Sequence, residues 1–158
     1  MASVIEWNRL VKSVEISVFI HATESEEKVK TAIRKLLSSG LGSLTFDSVS
    51  LVGHYDDPII MLTLKIQKRK EATEFFDSLY LMLSSLEKER LTSEIERRID
   101  SSGNLYIRLD KQKAYNGGAV MQENDPIRVK VKLQVPHGEE AANELLRHLR
   151  ALSETRGR

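Results

Sequence analysis

The residues best suited to chemistry are basic side chains in a strictly alternating segment late in the chain. Arg128, Lys130 and Lys132 occupy every second position, between apolar residues. In a β-strand such residues share one face at intervals of about 7 Å, close to the spacing of phosphates along a nucleic-acid strand. The pattern therefore predicts a strand face that binds a polyanion. The same alternation is also typical of an exposed strand that resists edge pairing.

Positive charge is concentrated around this segment rather than spread along the chain. The 158 residues contain 24 Lys and Arg against 23 Asp and Glu, so the net charge of +1 does not by itself indicate a nucleic-acid partner. Residues 97–132, however, contain eight basic and four acidic residues. We expect base stacking on Tyr115, and Tyr106 and Tyr55 offer further aromatic faces. We expect phosphate contacts from Arg108, Lys111, Lys113, Arg128, Lys130 and Lys132.

A second group of residues is compatible with a metal or acid–base site. His21 ends the first alternating segment and His54 lies in a turn, with Glu24 and Asp56 nearby in sequence. They form no ligand motif such as His-Glu-x-x-His, and hydrogen-bonded structural histidines are the simpler interpretation. The chain has no cysteine, which excludes disulfides, thiolate zinc sites and thiol nucleophiles. We therefore predict no metal, no cofactor and no catalytic residue.

Periodicity predicts the elements that position these residues. Strands are predicted at 13–21, 44–53, 59–67, 105–109 and 127–135, with the second and third joined as a hairpin by the turn Gly53-His-Tyr-Asp-Asp-Pro58. Helices are predicted at 69–86, 88–99 and about 138–153, and after a capping box formed by Thr23 and Glu26. The apolar stripe of the second helix includes Leu86. The predicted order is β-α-β-β-α-α-β-β-α.

This order predicts an α/β domain of the α+β type. We expect two layers, with helices packed on one face of a mixed β-sheet, because the first strand leads into a crossover helix that favours a parallel pairing. The length fits one domain over residues 1–158, and residues 1–10, which show no periodicity, are expected to fray. No apolar run reaches the roughly 18–20 residues of a membrane span, and the first residues lack the apolar stretch of a signal peptide. We expect a cytoplasmic protein with no membrane partner.

Short sequence words in one order along the chain resemble those of an archaeal family described as a predicted exosome subunit or RNA-binding protein. The words are His-Ala-Thr-Glu at 21–24, Gly-His-Tyr at 53–55, Leu-Asp-Lys-Gln at 109–112 with Ala114-Tyr115, and Asp-Pro-Ile at 125–127. The resemblance implies a fold similar to the large-subunit ribosomal protein that contacts 5S rRNA. It implies RNA as a partner, and exosome subunits as further partners. It also singles out residues without an assigned role, namely His21, Glu24, His54, Tyr55, Asp110 and Gln112.

Two adjacent positions depart from the expected family pattern. Asp56 and Asp57 follow His54 and Tyr55, where we expect a glycine and a polar residue. Two carboxylates repel phosphate, so we do not expect His54 and Tyr55 to contact RNA directly.

Three functions follow from these observations. The leading hypothesis is a non-catalytic RNA-binding protein that acts as an accessory factor of the archaeal exosome or of RNA processing. The alternative is an interaction module that docks on an exosome or ribosome component, through the open sheet face or through the last helix with Arg147 and Arg150. A third hypothesis is a metal-dependent hydrolase that uses His21 and His54.

Overall fold

The alternating segments form the strands of a five-stranded sheet in the computed structural model of the protein, which describes residues 10–37, 40–42, 44–134 and 138–156. The strands are β1 (Val11–His21), β2 (Asp47–Val52), β3 (Pro58–Ile66), β4 (Asn104–Leu109) and β5 (Ile127–Leu133). Their order in space is β2-β3-β1-β5-β4. The α+β class and the sequence of strands are therefore confirmed. Val135, predicted at the end of the last strand, lies outside the described residues.

Within the described residues, six helices connect and cover the strands. They are α1 (Glu26–Leu36), α2 (Arg69–Met82), α3 (Ser85–Ser93), α4 (Ile95–Arg98), α5 (Lys111–Tyr115) and α6 (Gly138–Arg156). The start of α1 differs from the predicted capping box, because the hydroxyl of Ser25, not of Thr23, accepts the Lys28 amide at 3.3 Å. None of the described helices combines the length and the apolar content that crossing a lipid bilayer requires.

The sheet is entirely antiparallel, so the predicted mixed sheet with a parallel pair is wrong. Strands β1 and β2 do point the same way and are joined by the expected α1 crossover. However, β3 lies between them and pairs with both, along β1 from Val14 opposite Ile66 to His21 opposite Ile59. The reason is the β2–β3 hairpin, whose short turn returns the chain beside β2 and places β3 against β1.

The predicted second and third helices also divide differently. Helix α2 ends at Met82 because Leu83 is extended, and the Ser84 hydroxyl then caps α3 by accepting the Glu87 amide at 3.1 Å. Leu86, predicted on the apolar face of one long helix, is therefore 76% exposed on the next one. The predicted helix over 88–99 is likewise divided at Glu94 into α3 and α4.

The core lies between the sheet and the helices. Inward-facing residues of β1 and β5, such as Ile16 and Val129, are fully buried together with Phe75 and Phe76 of α2 and Leu145 of α6. Burying apolar area of this kind supplies most of the free energy that favours folding. Because the described helices cover one face only, the outward side chains of the strands form a second face that no described helix covers. We call it the open face.

Candidate nucleic-acid interface

The basic residues of β5 lie on the open face, in register with those of β4. Arg128 is paired with Arg108, and Lys130 is paired with Tyr106, while the residues between them point into the core. Lys132 continues the same row of outward positions on β5. Four of the seven residues predicted to bind RNA, Arg108, Arg128, Lys130 and Lys132, are therefore brought together on one surface.

Strand β3 adds a basic residue that the sequence interpretation missed. Glu15 of β1 has Lys130 opposite it on one side and Lys65 of β3 on the other. Lys65, Lys130 and Lys132 line a shallow depression of about 340 Å³ together with polar side chains, among them Gln67 and Glu15. Among the described residues, no carboxylate lies within ion-pair distance of these three ammonium groups. We call Lys65, Arg108, Arg128, Lys130 and Lys132 the basic half of the open face.

The two arginines of the basic half, Arg108 and Arg128, form no close ion pair with a carboxylate of the described residues. The Arg108 guanidinium lies 3.8 Å from the Glu123 carboxylate and 5.9 Å from the Tyr106 ring centroid. The Arg128 guanidinium lies 4.8 Å from the centroid of the Phe19 ring and has no carboxylate partner among the described residues. Both side chains can therefore reach an anion on the open face without first breaking a strong ion pair.

A fixed turn holds Tyr106 at the edge of this surface. Its hydroxyl donates to Asp100 Oδ2 at 3.0 Å, and burial, with the Asp100 carboxylate, raises the pKa of Tyr106. Burial acts to raise the pKa of Asp100, but hydrogen bonds from Asn104, Tyr106 and Ser102 hold it below its ordinary value. The turn at 100–103 is closed by the Gly103 amide, which donates to the Asp100 carbonyl at 3.1 Å, and Gly103 has a φ of 83°.

Beyond Arg128 the open face changes from basic to apolar. Phe19 of β1 is opposite Met61 of β3, which is opposite Val49 of β2, and the next row contains Ile59 and Leu51. Val49 is 47% exposed and Leu51 is 39% exposed. These five residues are the apolar half of the open face.

Four residues of the family words converge at the end of β1, far apart in sequence. The Lys111 ammonium donates to Glu24 Oε1 and to Asp125 Oδ2, both at 3.0 Å, and to the Phe19 carbonyl at 2.7 Å. His21 Nε2 lies 3.1 Å from Asp125 Oδ1, and the His21 amide donates to Glu24 Oε1. We call His21, Glu24, Lys111 and Asp125 the Lys111 cluster. It ties the segment after β4 to β1.

The donor set of the Lys111 cluster resembles a metal site, yet its centre is already taken by a cation. One ligand atom each from His21, Glu24 and Asp125 lies within 4.8 Å of the others. The Lys111 ammonium bonds to both carboxylates. Burial acts to raise the pKa of Asp125, but hydrogen bonds and charge from Lys111 and His21 hold it below its ordinary value. The Lys111 cluster is therefore a structural ion-pair network.

Asp110 and Gln112 of the Leu-Asp-Lys-Gln word lie in the helix layer, together with Lys113 and Tyr115 that follow them. The Asp110 carboxylate caps α5 by accepting the Lys113 amide at 2.8 Å. The Lys113 side chain is exposed, and α5 packs against α1. The Tyr115 ring is covered by the Lys35 ammonium at 4.9 Å, and Gln112 lines the same groove beside α1. Lys113 and Tyr115 are thus not part of the open face.

The turn between β2 and β3 holds His54 and Tyr55, whose rings meet edge to face at a centroid distance of 4.8 Å. Tyr55 is 87% exposed, and its amide donates to Asp57. Asp56 has a positive φ of 61°, as a tight turn at that position requires. Among the described residues, His54 is not in the group of possible metal ligands that contains His21, so the two histidines of the hydrolase hypothesis do not share a metal site there.

Two sequence comparisons relate the chain to known proteins. Residues 13–133 match the model of a family described as RNA binding. The RNA-binding protein PAB1135 of Pyrococcus abyssi is 32% identical over 139 residues, which cover 85% of this chain and 90% of that protein.

Solved structures share the fold over nearly their full lengths. Protein AF2318 from Archaeglobus fulgidus is 34% identical with a TM-score of 0.76, covering 88% of this chain and 99% of that one. Mth689, a DUF54 protein from Methanothermobacter thermautotrophicus, is 29% identical with a TM-score of 0.72, covering 89% and 98%.

Proposed function

Because the chain belongs to this RNA-binding family, we propose that it is a non-catalytic protein that binds RNA through the basic half of the open face. The observation that carries the proposal is the set of unpaired ammonium groups of Lys65, Lys130 and Lys132 around one depression. Cations without an internal carboxylate keep their full attraction for phosphate, since no ion pair must be broken first.

The proposed surface differs from the set of residues predicted from the sequence. It gains Lys65 and retains Arg108, Arg128, Lys130 and Lys132. Lys111 is left out because its ammonium is held by two carboxylates and is only 13% exposed. Lys113 and Tyr115 are left out because they belong to the helix layer.

The test is the salt dependence of RNA affinity. If three to five phosphates are neutralised on a single strand, the logarithm of the association constant should fall against the logarithm of salt concentration with a slope of about −2 to −3.5. The combined change Arg128→Ala, Lys130→Ala and Lys132→Ala should weaken binding and bring the slope about 2 closer to zero, because each lost contact accounts for about 0.7. Fluorescence anisotropy of a labelled oligoribonucleotide measures both quantities.

A matched control removes the same charge from the helix layer. Lys28→Ala, Lys70→Ala and Arg150→Ala likewise delete two lysines and one arginine from exposed positions on α1, α2 and α6. This variant should keep the wild-type slope. If the two triple variants lose affinity equally, binding follows net charge alone and the proposed surface is wrong.

The family resemblance supports a narrower proposal about the cellular partner. We propose that the protein is an accessory factor of the archaeal exosome or of RNA processing, with a fold similar to the ribosomal protein that contacts 5S rRNA. Affinity purification from archaeal extract tests this role. Exosome subunits should copurify, and their loss after nuclease treatment would indicate that RNA is the bridge. Their absence from untreated samples would contradict the role.

An uncovered sheet edge favours direct protein docking as the second candidate function. The free edge of β4 is covered by bridges from Leu105 to Ile99 and from Leu109 to Met121. By contrast, no described residue pairs with the outer backbone of β2, whose six residues are all exposed. An open edge of this kind accepts a further strand. Exosome subunits that stay bound after nuclease treatment, and are lost on Leu51→Lys, would support this function.

A further inference from the structure

The division of the open face into a basic and an apolar half points to the form of RNA that fits it. We propose that the apolar half, centred on Phe19, stacks unpaired bases while the basic half holds the phosphates of the same strand, so that the protein binds single-stranded RNA in preference to duplex. This inference rests on the proposed function and adds the substrate class.

Phe19 is placed where a stacking residue is needed. It lies on the outward side of β1, the middle strand of the sheet, and is partly exposed. Met61 and Val49 extend an apolar row from its ring across two neighbouring strands. On the opposite side the ring meets the Arg128 guanidinium, so the boundary between the two halves runs between these two side chains.

Single-stranded RNA has the same division along its length. Its phosphates are charged and solvated, whereas the faces of its unpaired bases are flat and apolar and stack readily on aromatic rings. A duplex hides these faces between neighbouring base pairs and offers only its backbone and grooves. The basic half alone would therefore bind both forms, and the apolar half favours the single strand.

Arg128 connects the two halves. The guanidinium covers the Phe19 ring at 4.8 Å, and a base that stacks on this side of the ring must displace it. Since Arg128 is exposed and has no carboxylate partner among the described residues, it can move to the phosphate of the stacked nucleotide. The Phe19 backbone stays in place, because it is part of the β1–β3 ladder, opposite Met61. The Phe19 ring is thus available for stacking once the Arg128 guanidinium moves away from it.

The experiment compares two forms of one RNA. A labelled single-stranded oligoribonucleotide of mixed sequence, and the same strand annealed to its complement, are titrated with the wild type, with Phe19→Leu and with Phe19→Trp. Leucine keeps apolar bulk but has no ring, so Phe19→Leu should lose about tenfold in single-strand affinity and leave duplex affinity and the salt slope unchanged. Phe19→Trp should restore single-strand affinity, since indole also stacks.

A spectroscopic readout separates stacking from a change in folding. Trp7 is the one tryptophan of the chain, so Trp7→Phe combined with Phe19→Trp leaves an indole only at position 19. Its fluorescence should be quenched on addition of the single strand and much less on addition of the duplex. Thermal unfolding of each variant checks that the fold is retained.

The outcomes distinguish the two proposals. If the wild type binds both RNA forms equally and Phe19→Leu binds like the wild type, while the triple variant of the basic half is weakened, base stacking is wrong and RNA binding by the basic half stands. Unchanged fluorescence at position 19 on addition of single strand would also overturn stacking. If the wild type binds neither form, the proposed function fails, and stacking fails with it.

Discussion

Replacing Lys111 by methionine tests whether this residue holds the fold or binds RNA. Methionine keeps the length and apolar stem of lysine but removes three charge-assisted hydrogen bonds, to Glu24, Asp125 and the Phe19 carbonyl. Two carboxylates then face each other without a cation between them. We expect Lys111→Met to destabilise the protein and to leave the RNA affinity of the folded molecules nearly unchanged.

The size of this effect depends on how far the partners are shielded from water. Removing one member of a fully buried ion pair costs about 3–5 kcal/mol. Here the Glu24 side chain is 26% exposed and the Asp125 side chain 42%, so solvent screens much of the repulsion. We therefore expect Lys111→Met to lower the free energy of unfolding by about 2 kcal/mol, which for a chain of this length lowers Tm by about 4–8 °C.

Thermal unfolding followed by circular dichroism measures this loss, and its pH dependence identifies the cause. Because the pKa of Asp125 is held below its ordinary value of 3.8, its carboxylate stabilises the fold above that pH. The contribution is lost as the pH falls through the lowered pKa. In Lys111→Met the depressing charge is gone, so the difference in Tm between wild type and variant should be largest near neutral pH and should shrink in acid.

The neighbouring Lys113 gives a matched control. Lys113→Met removes the same charge from an exposed position on the same short helix and should change stability by less than about 0.5 kcal/mol. If Lys111→Met is as stable as Lys113→Met and instead loses RNA affinity with a shallower salt slope, Lys111 is a phosphate ligand. The interpretation of the Lys111 cluster as an anchor would then be wrong.

Two further substitutions test the charges of the open face and of the helix layer. Glu15 lies between Lys65 and Lys130, where its negative charge repels a phosphate at about 6 Å by about 0.7 kcal/mol in water-like surroundings. The Glu15→Gln variant should therefore bind RNA about threefold more tightly at low salt. A gain in affinity that persists at high salt would contradict this electrostatic cause. The Arg98 side chain is 7% exposed and forms an ion pair with Glu94 at 2.7 Å. Replacing Arg98 by alanine should lower the free energy of unfolding, measured by urea denaturation, by about 3 kcal/mol. A loss below about 1 kcal/mol would show that the ion pair is not buried as described.

The strand faces were predictable because they depend on local alternation. In β5, each apolar residue is buried and each basic residue points outward, as the period of two requires. Which strands pair with each other in the sheet was less predictable. The pairing of β3 with β1 depends on where a hairpin folds back after a crossover, and this information is not contained in the periodicity of either strand.

The residues of the candidate site show the same limit. Lys111 looks like any other basic residue in sequence, and its partners Glu24 and Asp125 lie 87 and 14 positions away. Phe19 and Lys65 were missed because each is one outward residue in a strand of mixed composition. The buried neighbours of Lys65, Leu64 and Ile66, carried the signal that would have placed it on the open face.

The unequal edges of the sheet determine how RNA and a protein partner would be arranged. A strand added alongside β2 lengthens the sheet in its own plane, so it widens the surface that carries Phe19 instead of burying it. Two such ligands would sit side by side on one molecule. If both proposals hold, RNA and a docked protein would therefore share one continuous surface and could be bound at the same time.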